Sequence, residues 1–308
     1  MKKVLVIGSI NCDYVINVPQ IPETGETLLC GGYELAPGGK GANQAYALAK
    51  LGGKVAMLGA VGDDGPGEKL LGNLRAVGVD VSEIMTLPGE STGTAFIFVD
   101  SAGSNSILVS QGANLRVNEE YIKKHDRRFR ECDIVVLQLE IPLDTVLYCA
   151  RRAKELQKTV ILDPAPARAD IPRELYRCVD YIKPNEVELG MLLEDSKARN
   201  HLEESTAVLQ SWGVKNVVVT MGDKGAFLRD ETGRTRKFPP VTGLQVVDTT
   251  AAGDSFTAAL AYGLSEGGGL RDALELAIYV SGLVVTRRGA QTSIPGRERV
   301  KEFMARNK

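Results

Sequence analysis

The chain has 308 residues, 44% hydrophobic and 25% charged, proportions of a soluble globular protein with core enough for one large domain or two smaller ones. A net charge of −2 leaves no electrostatic footprint for nucleic acid, and no polybasic stretch marks a membrane surface. The five cysteines, Cys12, Cys30, Cys132, Cys149 and Cys178, are scattered without a C-x-x-C pair, which argues against the usual zinc spacings and a disulfide framework and suits small buried thiols in a reducing cytoplasm.

Met1-Lys2-Lys3 precedes an apolar run that stops at Gly8, too short for the apolar core of a signal peptide. No run approaches the roughly 20 apolar residues of a membrane span, so a cytoplasmic protein is expected. Residues 3–7 read as a strand buried on both faces. Residues 13–18 and 27–35 read as two β runs around the turn-rich segment 19–25, a hairpin-like excursion from that first strand. The period changes at 38–51, where Ala42, Ala45, Ala47, Leu48 and Leu51 form a small-residue helix face. A buried strand follows at 55–61, and a helix at 68–77 with Leu70, Leu71 and Leu74 inward. Strands are expected at 94–99 and 106–109, joined by a Ser101-Ala102-Gly103-Ser104 turn.

Beyond Asn118 strands and helices alternate. Helices are expected at 119–129, 143–156, 186–193 and 202–212, and strands at 134–137, 159–163, 181–183 and 216–221. Such alternation predicts an α/β fold, a doubly wound and mostly parallel sheet flanked by helices, with part of the strand-rich N-terminal third forming a separate small β-sheet. A β-like run at 244–247 leads through a tight turn into a helix that holds Asp254 in its first turn. Helices over 270–286 and from Arg297 close the chain, and His125 and His201 fall on exposed helix faces.

Polar residues cluster after the predicted strands: Asn11 and Asp13, Gln138 and Glu140, Asp163, Asn185 and Glu188, Thr220 and Gly222, and Asp254. Ligands of open α/β sheets bind at that edge. Before Asp254, the small residues Ala251, Ala252 and Gly253 let a ligand approach a helix N-terminus, whose free N–H groups favour an anion. A carboxylate there suits proton abstraction from a hydroxyl attacking a phosphate, and a helix cap explains the same residue. Gly38-Gly39-Lys40-Gly41-Ala42-Asn43 fits neither G-x-x-x-x-G-K-[ST] nor G-x-G-x-x-G; it reads as a polar small-molecule loop or a glycine turn into a helix. Asn11 with Asp13 suits a polyhydroxylated ligand or a simple turn. Asn185 and Glu188 share one helix face, as metal-associated or capping residues. Thr220-Met221-Gly222-Asp223-Lys224-Gly225 reads as a β-turn.

Asp248-Thr249-Thr250-Ala251-Ala252-Gly253-Asp254-Ser255-Phe256 resembles the C-terminal signature of the ribokinase family of sugar kinases. Gly8 to Asp13, Gly38 to Asn43, Ser91-Thr92-Gly93, Gln111 to Asn114, Gln138 to Glu140, Asp163 to Arg168 and Arg287 to Gln291 extend the resemblance over nearly the whole chain. It implies an ATP-dependent kinase acting on a sugar's primary hydroxyl, with ribose favoured and deoxyribose, fructose or a nucleoside as alternatives. A non-catalytic sugar or nucleotide sensor on the same scaffold is the reading from another class. The resemblance implies Asp254 as base and Ala251, Ala252 and Gly253 as its anion hole. Asn11, Asp13, Gly39, Lys40, Gly41, Asn43 and Glu140 would hold the sugar. Asn185, Gly253 and the segment Thr220, Met221, Gly222, Asp223, Lys224 and Gly225 would hold ATP. Glu188 would serve Mg2+, and Asp248, Thr250, Val284, Arg287, Gly289 and Ser293 an activating K+. Ile278 stands near the adenine where the family can carry a polar residue. The resemblance also implies one ribokinase-like domain over 1–308, with a lid sheet from about 13–35 and 94–109 serving as a homodimer interface.

Overall fold

Alternating side chains decide how every strand of the central sheet faces. The computed structural model describes residues 1–101 and 105–307. In β1 (Lys3–Ile7), Val4 and Val6 point into one core and Leu5 and Ile7 into the other, because successive strand residues face opposite ways. The chain leaves the sheet as β2 (Asn11–Asn17) and β3 (Glu34–Gly38) and returns through α1 (Lys40–Lys50) to β4 (Lys54–Leu58). Then come β5 (Ala60–Gly62), α2 (Gly65–Ala76), β6 (Met85–Leu87), β7 (Gly93–Val99) and β8 (Asn105–Ser110). The alternating part runs α3 (Glu119–Lys124), α4 (Arg127–Glu131), β9 (Ile134–Leu137), α5 (Leu143–Glu155), β10 (Thr159–Leu162), α6 (Arg173–Arg177), β11 (Tyr181–Ile182), α7 (Glu186–Leu193), α8 (Leu202–Ser211) and β12 (Asn216–Thr220). A hairpin of β13 (Ala226–Arg229) and β14 (Thr235–Phe238) precedes α9 (Ala252–Ser265), α10 (Leu270–Val284) and α11 (Arg297–Arg306).

The central sheet has eight strands in the order β14-β13-β12-β11-β10-β9-β1-β4, parallel except where β13 and β14 pair antiparallel at one edge. α1, α2, α9, α10 and α11 cover one face, and α3 to α8 the other. This is the doubly wound, mostly parallel class expected. β3, β2, β7 and β8 form a separate four-stranded sheet, in which β2 pairs antiparallel with β3 and parallel with β7. Its side chains Leu35, Ile107 and Leu108 stand exposed. Among the described residues no helix is long and apolar enough to cross a membrane.

Several expected elements shift for local reasons. No strand forms over 27–33; Gly31 and Gly32 break the run and Leu29 is 93% exposed, so pairing starts only at Glu34. Pro37 is tolerated there because β3 is an edge strand. The single strand expected at 55–61 breaks at Gly59, where a Cβ would come within 2.9 Å of the Gly8 carbonyl. The helix expected at 119–129 is two short helices, with His125 closing the first. Residues 244–247 join no sheet; Val246 and Val247 are exposed, and Val247 N–H donates only to the Val285 carbonyl among the described contacts. Cys30 is exposed rather than buried. The β13–β14 hairpin has no counterpart in the sequence reading, and residues 102–104 of the expected turn lie outside the described residues.

β1 sits between β9 and β4, so the chain winds one way from β1 and later the other, which opens a crevice at the carboxyl ends of β1 and β9. α9 packs over both strands there and against α1. α1 approaches so closely that a Cβ on Gly41 would lie 2.7 Å from the Gly8 carbonyl carbon and from Ser9 N. Gly41→Ala is therefore expected to cost about 1–3 kcal/mol or more in thermal denaturation through overpacking. Gly72→Ala, at a helical site with nothing within 4 Å of the new methyl, serves as the contrast and is expected to gain up to ~1 kcal/mol. Equal effects at the two sites would refute the close-approach account.

Candidate active site

The N-termini of α1 and α9 meet at one carboxylate. Asp254 is only 6% exposed; its Oδ2 accepts from Asn43 Nδ2 at 2.9 Å and its Oδ1 from Gln44 Nε2 at 3.3 Å. It caps nothing. The cap position of α9 is Ala251, held at φ +60° with no side-chain cap bond, and the carboxylate serves the neighbouring helix. This geometry removes the capping reading of Asp254.

Behind it lies a buried polar network that sequence reasoning left without a role. Gln44 Nε2 also donates to Asp163 Oδ2 at 2.9 Å, and Gln44 Oε1 accepts from Gln138 Nε2 at 2.6 Å. Lys183, 3% exposed, stands 3.1 Å from Asp163 Oδ1 and donates to the Gly253 carbonyl at 3.4 Å. Thr257 Oγ1 lies 3.1 Å from both Asp163 Oδ2 and the Gly253 carbonyl. On the far side, Asn43 Oδ1 accepts from Gln291 Nε2 at 3.1 Å. The sequence signal for Gln44 was a polar pair, Asn43-Gln44, on a helix whose other inward residues are small or apolar.

The glycine loop is pinned by Glu140, whose Oε2 accepts from Lys40 N at 3.0 Å and from the Ser9 hydroxyl. Gly39 begins α1 at φ +84°, and a Cβ there would sit 2.7 Å from Asn11 N. Asn11 is buried, and its Oδ1 accepts from Asn114 Nδ2 at 2.8 Å. Asp13 lies directly over Gly38, where a Cβ would come within 2.4 Å of its carboxylate carbon. Burial, with Glu140 and Asp254 nearby, pushes the Asp13 carboxyl up to about 7. Burial works against the charge on Lys40, but Asp254, Asp163, Glu140 and Glu188 outweigh it and hold the ammonium above its ordinary range.

Lys40, Asp163, Lys183 and Asp254 stand together on the wall of a cavity of ≈ 690 Å³. Asn185, Glu188, Thr220, Gly222, Asp223 and Gly225 line it from the sheet edge, and Ala251, Ala252 and Gly253 from the first turn of α9. Val241, Leu244, Val246 and Ile278 give it an apolar wall. Met221 is buried in the second core instead, and Lys224 is exposed, 3.6 Å from Glu186; neither lines the cavity. Asn185 and Glu188 do form a capping box: Asn185 Oδ1 accepts from Glu188 N at 2.8 Å, and Glu188 Oε2 from Asn185 N at 2.7 Å. Burial raises the Glu188 pKa, Asp163 adds to the rise, and Lys183 opposes it. Asn11, Asp13, Gly39, Gly41, Asn43 and Glu140 are not on this cavity's wall; Asn43 joins their side of the site to Asp254.

The two C-terminal loops also meet. Asp248 Oδ1 accepts from Thr250 N at 2.9 Å and its Oδ2 from Gly289 N at 2.8 Å. Burial alone would raise the Asp248 pKa, but these bonds and the Thr250 hydroxyl hold it below the ordinary value. Val284 is fully buried and its carbonyl accepts from Arg287 N, while Ser293 Oγ donates to the Ala290 carbonyl. Among the described residues, no three His, Cys, Asp or Glu side chains gather as a metal site.

A family model described as pfkB family carbohydrate kinase matches residues 1–297. The chain is 37% identical to a ribokinase of Haemophilus influenzae, covering 99% of both chains. It is 36% identical to a deoxyribokinase of Salmonella typhi, again covering 99% of both. The structure of an Arabidopsis thaliana ribokinase complexed with ribose and ATP superposes with a TM-score of 0.91 at 32% identity, covering 98% of each chain.

The raised Asp13 carboxyl has a thermodynamic consequence. Its folded pKa of about 7 exceeds the unfolded 3.8, so the folded state holds the extra proton between those values and loses stability as pH rises through them. Asp13→Asn is expected to be more stable than the parent at pH 8, by about 1–2 kcal/mol after allowing for partial exposure, and by less than about half of that at pH 5. Thermal melts showing the same difference at both pH values would contradict the shift.

Proposed function

The chain belongs to the pfkB family of carbohydrate kinases, and from that premise we propose that it transfers the γ-phosphoryl group of ATP to the primary 5-hydroxyl of D-ribose. One observation carries the reading: a buried carboxylate, Asp254, in the first turn of a helix whose N-terminus faces a nucleotide-sized cavity. Phosphoryl transfer needs positioning and charge neutralisation more than covalent chemistry. Asp254 takes the proton from the sugar hydroxyl. The N–H groups at Ala251, Ala252 and Gly253 and the ammonium of Lys40 meet the charge on the moving phosphate. Lys183, on the same cavity wall, adds a second cation.

Asn11, Asp13, Gly39, Lys40, Gly41, Asn43 and Glu140 hold the sugar, with amide donors and carboxylate acceptors suited to hydroxyl groups. The adenine lies along Val241, Leu244 and Ile278, and Asn185, Thr220, Gly222, Asp223 and Gly225 hold the rest of the nucleotide. Met221 and Lys224 shape that turn without facing the nucleotide. Glu188, half-buried on the cavity wall, would serve Mg2+, which would draw its remaining ligands from phosphate and water and neutralise phosphate charge. The joined loops carrying Asp248, Thr250, Val284, Arg287, Gly289 and Ser293 offer a K+ position. Exposed Leu35, Ile107 and Leu108 on the small sheet support a lid that pairs with a second copy, in a cytoplasmic homodimer of single-domain chains. Deoxyribose is the second substrate reading, because a relative of that name is nearly as similar.

The test is ADP release with ATP, Mg2+ and K+ across ribose, deoxyribose, fructose, adenosine and inosine. Ribose is expected to give the highest kcat/KM; preference for another compound moves the substrate, and no turnover on any favours a sensor. Asp254→Asn is expected to lose about 10²–10⁴-fold in kcat while keeping sugar binding, the range of a general base. Near-parental turnover of that variant would overturn the assignment. Leu108→Asp is expected to shift sedimentation toward a monomer without loss of fold.

A further inference from the structure

Gln44 is completely buried and makes three directed contacts with side chains. Its Nε2 donates to Asp163 Oδ2 at 2.9 Å and to Asp254 Oδ1 at 3.3 Å, and its Oε1 accepts from Gln138 Nε2 at 2.6 Å. A flipped amide would turn its oxygen toward two carboxylates, so Asp163 and Asp254 fix the direction of the Gln44 amide, and Gln138 supplies the donor to its oxygen. Gln138 itself fits only because the first strand ends in a glycine: a Cβ on Gly8 would lie 1.8 Å from Gln138 Oε1.

We propose that Gln44 is a positioning residue for phosphoryl transfer, acting through Asp254; this rests on the reading of Asp254 as the base. Each Asp254 oxygen accepts one amide donor, from the consecutive residues Asn43 and Gln44. The two bonds fix the plane of the carboxylate, so turning it breaks at least one of them. Its remaining lone pairs are thereby held toward the substrate hydroxyl. The same amide ties the base to Asp163 and through it to Lys183, so base and cation share one frame. A buried glutamine that merely joined helices would stabilise the fold and leave the reaction coordinate alone.

The experiment is a double-mutant cycle with Gln44→Met and Asp254→Asn, read as kcat and KM for ribose and ATP alongside thermal melts. Gln44→Met removes the donors at similar volume. It is expected to lower kcat about 10–100-fold, the equivalent of one hydrogen bond to a charged group, with both KM values within about threefold. In the Asp254→Asn background the same change is expected to cost less than about twofold, because the group it positions is gone. An equal loss in both backgrounds, or a loss confined to KM, overturns the proposal. If Gln44→Met fails to fold, Gln138→Met removes the donor that holds Gln44 Oε1 while leaving the Gln44 amide present, and the same non-additivity with Asp254→Asn is required. Full turnover by Asp254→Asn would overturn the base reading itself and this inference with it, a result distinct from a failure of Gln44 alone.

Discussion

The carboxylate of Asp254, buried where two helices begin, is the constraint on which the site depends. A buried charge is costly unless it is hydrogen-bonded and paired. Here two amides from α1 satisfy both oxygens, and Lys40 lies close enough for its ammonium to be stabilised by Asp254 above all. Both helix N-termini add positive potential at the same place. The arrangement requires α1 and α9 to stay in register across a long stretch of chain, so this local contact is also a tertiary one.

The neighbourhood holds more carboxylates than cations. Asp13, Glu140, Asp163, Glu188 and Asp254 share it with Lys40 and Lys183; burial pushes Asp13 and Glu188 toward the protonated form, neighbouring carboxylates add to the push on both, Lys183 opposes it at Glu188, and the same carboxylates hold Lys40 charged. Such a field favours neutral polyols, which accept and donate hydrogen bonds, and cations. An incoming polyphosphate needs the helix N–H groups and the two lysines to offset the carboxylates. Close packing makes this density possible, since Gly8 and Gly41 let the end of β1 and the start of α1 touch backbone to backbone.

Much of the fold was legible because periodicity is a direct record of burial. The apolar runs in β1, β9, β10 and β12 have no exposed face to hide, and they emerged as the middle of the sheet. The β13–β14 hairpin escaped notice because three of the four β14 residues are exposed and Thr235-Arg236-Lys237 reads as a polar loop. The run at 244–247 looked like a strand because β-branched residues also suit the extended wall of a cavity. In the site, Asp254 and the glycine loop were visible as motifs. Gln44, Lys183 and Thr257 were not, because their partners lie far along the chain. No local pattern encodes such a contact.

The same reasoning bears on sugar preference under the proposed function. Two pentoses that differ by one hydroxyl are told apart only if the missing group leaves a buried polar atom without its partner. Asn11 is a candidate under the proposed function: the bond from Asn114 Nδ2 to its oxygen at 2.8 Å fixes the direction of its amide, so its NH2 would face a ligand as a donor. Asn114 in turn is locked by Ile10, accepting from its N–H at 2.9 Å and donating to its carbonyl at 3.3 Å. Glu140 likewise arrives with one oxygen committed to Lys40 N and the Ser9 hydroxyl. On the proposed reading, Asn11 and Glu140 would meet a sugar with fixed polarity rather than as groups free to reorient. Similarity over the whole chain cannot weigh one hydroxyl, whereas a donor that cannot turn away from an absent partner does.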